Sequence, residues 1–125
     1  MITKLALLLS VATTDSVRAD REIRLVALRH VADVRRCYER EGLTRDPLLS
    51  GTLEITVTVL ATGVVREASV TAETMRGFGA REVAVCLTTV IRHWRFDRGP
   101  YVVETIVFPF AFRPEQGRGS PVVSS

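Results

Sequence analysis

The sequence predicts a two-layer α+β domain in which two helices pack on one face of a three-stranded antiparallel sheet. Three observations carry this reading. Two stretches place apolar residues at three- and four-residue steps, the period of an amphipathic helix. Three others alternate with period two, the mark of a half-buried strand. Their order is helix, hairpin, helix, strand. With 125 residues, 46% hydrophobic and 25% charged, the chain has material for one core and little room for a second.

At the N-terminus a single cation, Lys4, precedes an apolar run from Leu5 to Ala12. The run is far short of the roughly 20 apolar residues that span a bilayer. It fits the apolar part of an export signal, and Val17-Arg18-Ala19 fits a cleavage site after Ala19. The expected organisation is a signal peptide over 1–19, a folded domain over 20–113 and a flexible tail over 114–125; the alternative for the apolar run is a short strand or helix of the mature domain, in a cytoplasmic protein.

From Asp20 to Glu41, Ile23, Val26, Ala27, Val31, Val34, Cys37 and Tyr38 form one apolar helix face. Asp20 is the expected N-cap and Gly42 the expected stop. Arg21, Arg24, Arg35, Arg36 and Arg40 fall on the solvent side, and His30 adjoins the apolar face. After a loop marked by Pro47 and Gly51, Leu53, Ile55, Val57 and Val59 alternate with Glu54, Thr56 and Thr58. Thr62-Gly63 turns the chain into a second strand, Val64 to about Glu73. Its inward set, Val65, Ala68 and Val70, slips phase once, which requires an extra residue, a β-bulge, near Arg66-Glu67. A second helix, Arg81 to Trp94, presents Val83, Cys86, Leu87, Val90 and Trp94. In the last strand Ile106, Phe108, Phe110 and Phe112 alternate. Pro109 has no N–H to give to a ladder, so that strand is expected at an edge.

The side-chain inventory argues against catalysis. His30 and His93 are the only histidines, and Glu39, Glu54, Glu73 and Glu104 fall on separate elements with no paired spacing. No phosphate-binding glycine loop occurs, and neither metal nor cofactor is expected. The formal charge of +3 is carried by scattered arginines rather than a block, so specific nucleic-acid binding is not expected.

Cys37 and Cys86 are the only cysteines, each on the apolar face of a helix. In an exported domain a disulfide is the leading reading. Two buried free thiols in a cytosolic protein are the alternative. A CxxC redox motif is absent, and a metal site would need two more ligands.

The segments "VRRCYEREGLTRDPLLSGTLEITVTVLATGVVREASV", "VAVCLTTVIRHWRF" and "VVETIVFPFAF" resemble the C-terminal domain named for AgmX and PglI, related to the TonB C-terminal domains of Gram-negative envelopes. The resemblance covers about residues 30 to 112. It rests on Cys37-Tyr38-Glu39, Pro47 with Gly51, Gly63 with Val65, Cys86, Trp94 with Phe96, and Phe108-Pro109-Phe110. It implies the fold above, a periplasmic setting, a bridge between the two cysteines, and a non-enzymatic role in linking envelope components, in some members within gliding-motility machinery. Energy-transducing members carry a membrane anchor and a Pro-rich linker before this domain. This sequence shows neither, so the expectation is a binding module for an envelope protein.

The expected mode is strand addition along Tyr101 to Val107, with Tyr101, Val103, Glu104, Thr105 and Val107 as partner-binding residues and Pro109 interrupting donation beyond them. Two readings from other classes remain beside it. One is a cytosolic nucleic-acid-binding α+β module using Arg21, Arg24, Arg35, Arg36, Arg92, Arg95 and Arg98. The other is a thiol-redox protein using Cys37 and Cys86.

Overall fold

The computed structural model describes residues 12–13, 18–99 and 102–117. Along the chain run β1 (Ala12–Thr13), α1 (Asp20–Arg29), α2 (Val31–Cys37), a π-helical turn (Tyr38–Leu43), β2 (Gly51–Val59), β3 (Val65–Glu73), α3 (Ala80–Ile91), β4 (Glu104–Phe112) and the short α4 (Pro114–Gly117). β2, β3 and β4 form the expected antiparallel sheet, and β1 adds a two-residue ladder, for the order β1-β4-β2-β3. The helices cover one face.

The alternation in β2 and β4 translates directly into burial. Leu53, Ile55, Val57 and Val59 share the helix-covered face of the sheet with Ile106, Phe108, Phe110 and Phe112, all buried. Across this layer lie Ile23 and Val26 of α1, Val34 of α2, and Val83, Leu87 and Ile91 of α3. Burying one such side chain stabilises by about 1.5–3 kcal/mol. The aromatic residues order this packing. Tyr38 rests on Phe112 with ring centres 4.8 Å apart, and Trp94 meets Phe108 edge-on at 5.5 Å.

In β3 the register passes from Thr58↔Glu67 to Val59↔Val65, which leaves Arg66 as the extra residue that the phase slip required. A second shift leaves Thr71 between Val70 and Ala72. Val70 stands opposite Ile55 yet is exposed, because β3 is the outermost strand and the helices do not reach over it there.

The first helix differs from its expectation. It breaks at His30, whose backbone (φ −113°, ψ 13°) leaves the helical range. The imidazole stacks on Trp94 at 4.9 Å between ring centres. Ala19, not Asp20, is the N-cap, and its carbonyl accepts the N–H groups of Glu22 and Ile23. Gly42 does not end the helix through a left-handed residue. It lies buried in the π turn, where a Cβ would come within 2.6 Å of Leu49 and 2.8 Å of Val83. Its role is close approach of the turn to α3. Trp94 lies beyond the end of α3, and Ile91 takes the buried position in the last turn.

Cys37 and Cys86 are bonded, with Cα atoms 5.6 Å apart, and tie the end of α2 to α3 above the sheet. Of the expected tail, Pro114–Gly117 forms one helical turn; residues 118–125 lie outside the described residues, as do 1–11 and 14–17 of the expected signal.

Candidate functional site

β4 pairs with β2 without a break from Val59↔Glu104 to Gly51↔Phe112. On its other side, among the described residues, it meets β1 through Ala12↔Val107 and Thr13↔Ile106. At Ile106 and Val107 the expectation of an open edge gives way to a short ladder from the chain's own N-terminal region. Pro109 lies in the stretch that β1 does not cover.

The residues expected to meet a partner do not share one environment. Tyr101 lies outside the described residues. Val103 is exposed, just before β4 begins. Thr105 and Val107 are half-buried on the sheet face turned away from the helices. Glu104 is fully buried. It is in phase with Ile106 and Phe108, so its side chain points to the helix-covered face rather than outward.

There Glu104 meets Arg18. The Arg18 Nε donates to Glu104 Oε1 at 2.6 Å, and the Arg18 backbone N–H donates to Oε2 at 3.2 Å. Nη1 donates to Glu22 Oε2 at 2.7 Å. The guanidinium lies over the Phe96 ring, 5.4 Å from its centre. Gly99 closes the space, since a Cβ on it would sit 2.6 Å from Arg18 Nη2. The side chains of Arg18 and Glu104 are 1% and 0% exposed, so this pair is shielded from solvent.

The hairpin turn builds one wall of this site. Gly63 has φ 93°, a left-handed backbone that suits glycine, and a Cβ there would lie 2.0 Å from the Phe96 carbonyl oxygen. The Phe96 N–H donates to Gly63 O at 2.9 Å, and the Gly99 N–H donates to Ala61 O at 3.1 Å. The turn between β2 and β3 thus holds both Phe96 and Gly99 beside the start of β4. Sequence reasoning missed Arg18, Glu22, Phe96 and Gly99 as a group. One signal was available: Glu104 falls in the apolar phase of its strand, and a carboxylate buried there requires a cation.

Among the described residues of the site no nucleophile has a base beside it. Among the described residues no three His, Cys, Asp or Glu side chains are grouped to hold a metal, and no helix is long and apolar enough to cross a membrane. The arginines Arg21, Arg24, Arg36, Arg92, Arg95 and Arg98 are exposed and Arg35 half-buried. Several turn back on the protein, as where Arg36 pairs with Asp33 and Arg95 donates to the His93 and Trp94 carbonyls. What this region can do chemically is pair with an extended chain and hold a guanidinium.

The backbone is similar to the solution structure of the Helicobacter pylori TonB C-terminal domain, with a TM-score of 0.52 over 78% of this chain and 84% of that one. The fold is TonB-C-like. The sequence identity is 10%, so the likeness concerns fold alone. No family model matches the chain, and no curated protein does.

Proposed function

We propose that this TonB-C-like domain is a non-enzymatic interaction module of the cell envelope, of the AgmX and PglI kind, that binds an extended segment of a protein partner by strand addition to β4. The observation that carries the reading is the ladder of β1 on Ile106 and Val107, an antiparallel strand already seated on that edge. The fold likeness supports a role in protein interaction. The Cys37–Cys86 bond supports an oxidising compartment, the periplasm for an exported bacterial chain. The role this implies is linkage between envelope components, in transduction or in gliding motility.

The test is retention of partners from envelope extracts on the full chain, compared with Thr105→Pro. Thr105 and Pro109 are four residues apart in a regular strand, so their nitrogens point to the same side. β2 pairs through Pro109 without a break although that residue has no N–H to give, so nitrogens of this phase face the β1 edge, and a proline at 105 removes an N–H from that side. The variant is expected to stay folded and to lose the partner. A folded Thr105→Pro chain that retains it would move the contact to another surface, first to the sheet face of Glu54, Thr56 and Thr58. N-terminal sequencing of the native protein tests export: an intact Met1 on a cytoplasmic product overturns that part.

A further inference from the structure

We propose that the pocket formed by Glu104, Glu22, Phe96 and Gly99 is an arginine-recognition site, and that the strand docking on β4 is one that brings an arginine into it. The inference rests on the strand-addition reading and adds the chemistry of the partner: an extended protein segment with an arginine a few residues beyond its pairing with Ile106. The chain itself is the precedent. Thr13 pairs with Ile106, and Arg18, five residues later, fills the pocket.

The pocket suits a guanidinium and not merely a positive charge. Nε and Nη1 of Arg18 donate to two different carboxylates, those of Glu104 and Glu22, which uses the spread of a fork. Its carbon lies over an aromatic ring, and a glycine leaves room at the far nitrogen. A lysine could satisfy one carboxylate at a time and would leave the ring and the Gly99 side poorly filled. A docking segment that displaces Arg18 with a neutral residue takes that guanidinium from the buried Glu104 carboxylate and is penalised. The recognition unit is thus a ladder on β4 joined to a charged anchor at the strand's beginning. Cleavage after Ala19, the site expected from sequence, would remove β1 and Arg18 together and hand both edge and pocket to the incoming segment.

The experiment uses the full chain with its disulfide intact, as wild type and as Arg18→Ala. The probe is a synthetic peptide, Val-Ala-Thr-Thr-Asp-Ser-Val-Arg-Ala, identical to residues 11–19, and a second with glutamine replacing the arginine. Binding is read by fluorescence anisotropy. Arg18→Ala is expected to bind the arginine peptide about tenfold or more tightly than wild type, whose own Arg18 competes, and to bind the glutamine peptide at least about tenfold more weakly. Glu104→Gln in the Arg18→Ala chain is expected to abolish the discrimination. Should Arg18→Ala lack a cooperative melt, Arg18→Lys replaces it, and the arginine peptide is still expected to outbind the glutamine one. Equal binding of both peptides that Thr105→Pro abolishes overturns the arginine site and leaves the edge reading standing. Equal binding that survives Thr105→Pro, or binding of neither peptide, overturns both.

Discussion

The two long edges of the sheet are built in opposite ways. β3 loses register twice, at Arg66 and Thr71, and carries exposed Arg66, Glu67 and Glu73. Bulges and charges of this kind make an edge a poor template for another strand. β4 runs nine residues against β2 without a break, and its only charged residue, Glu104, is buried rather than displayed. The contrast teaches that edge protection in this domain is selective. The exposed rim of β3 is protected by local sequence, whereas β4 stays straight and is met by β1 and Arg18. An edge left regular in a small sheet is either an aggregation hazard or a docking surface.

The largest expected effect comes from separating the buried pair at the β4 edge. Arg18→Met strips the guanidinium from a carboxylate with no solvent around it and should cost about 3–5 kcal/mol in urea unfolding. The double change Arg18→Met with Glu104→Leu removes both charges and should recover most of that loss. If the single change costs less than about 1 kcal/mol, the pair does not hold this edge and the contrast with β3 loses its charged element.

Next comes the bridge between the helices. Cys37→Ala with Cys86→Ala opens a 49-residue separation, and the chain-entropy account gives about 4 kcal/mol, within a usual loss of about 2–5 kcal/mol. This change sharpens the comparison because it lies over the middle of the sheet. Amide exchange should quicken along both β3 and β4, whereas Arg18→Met should quicken it at β4 first. Two free thiols found in denatured, unreduced native protein would contradict the bond itself.

Thr105→Pro should cost less, about 1 kcal/mol, the scale of one hydrogen bond, while abolishing partner retention. Thr71→Pro is the matching change on the other edge. Thr71 is the extra residue of a bulge, although its hydroxyl meets Thr56 and Glu54, so a modest loss of stability with full retention is expected there. Loss of the partner from Thr71→Pro would place docking on β3 and reverse the argument.

The smallest effect on stability is expected from Glu67→Thr, within about 0.5 kcal/mol for an exposed position. Its consequence should appear in light scattering as increased self-association, since it removes a charge from the protected edge. No change in scattering would mean that the bulges at Arg66 and Thr71 protect β3 without help.

Much of this design is written in the sequence itself. Period-two alternation in Leu53 to Val59 and Ile106 to Phe112 determined which faces of β2 and β4 meet the helices, because adjacent side chains in a strand must point oppositely. The single phase slip in β3 determined the bulge at Arg66, and the helical spacing of Val34 and Cys37, and of Val83 and Leu87, determined which sides face inward. Other features depended on residues distant in the chain. The break at His30 answers to Trp94, which stacks on its ring from the far end of α3. Gly42 is small because Leu49 and Val83 close around it, and no local turn rule contains that fact. The role of Glu104 was half legible: its phase announced burial, but its cation is Arg18, 86 residues away in sequence. Periodicity reports which way a side chain points, since that depends on bonded geometry alone. What it meets there depends on how the whole chain closes, and here the tertiary structure decided that the start of β4 faces an arginine.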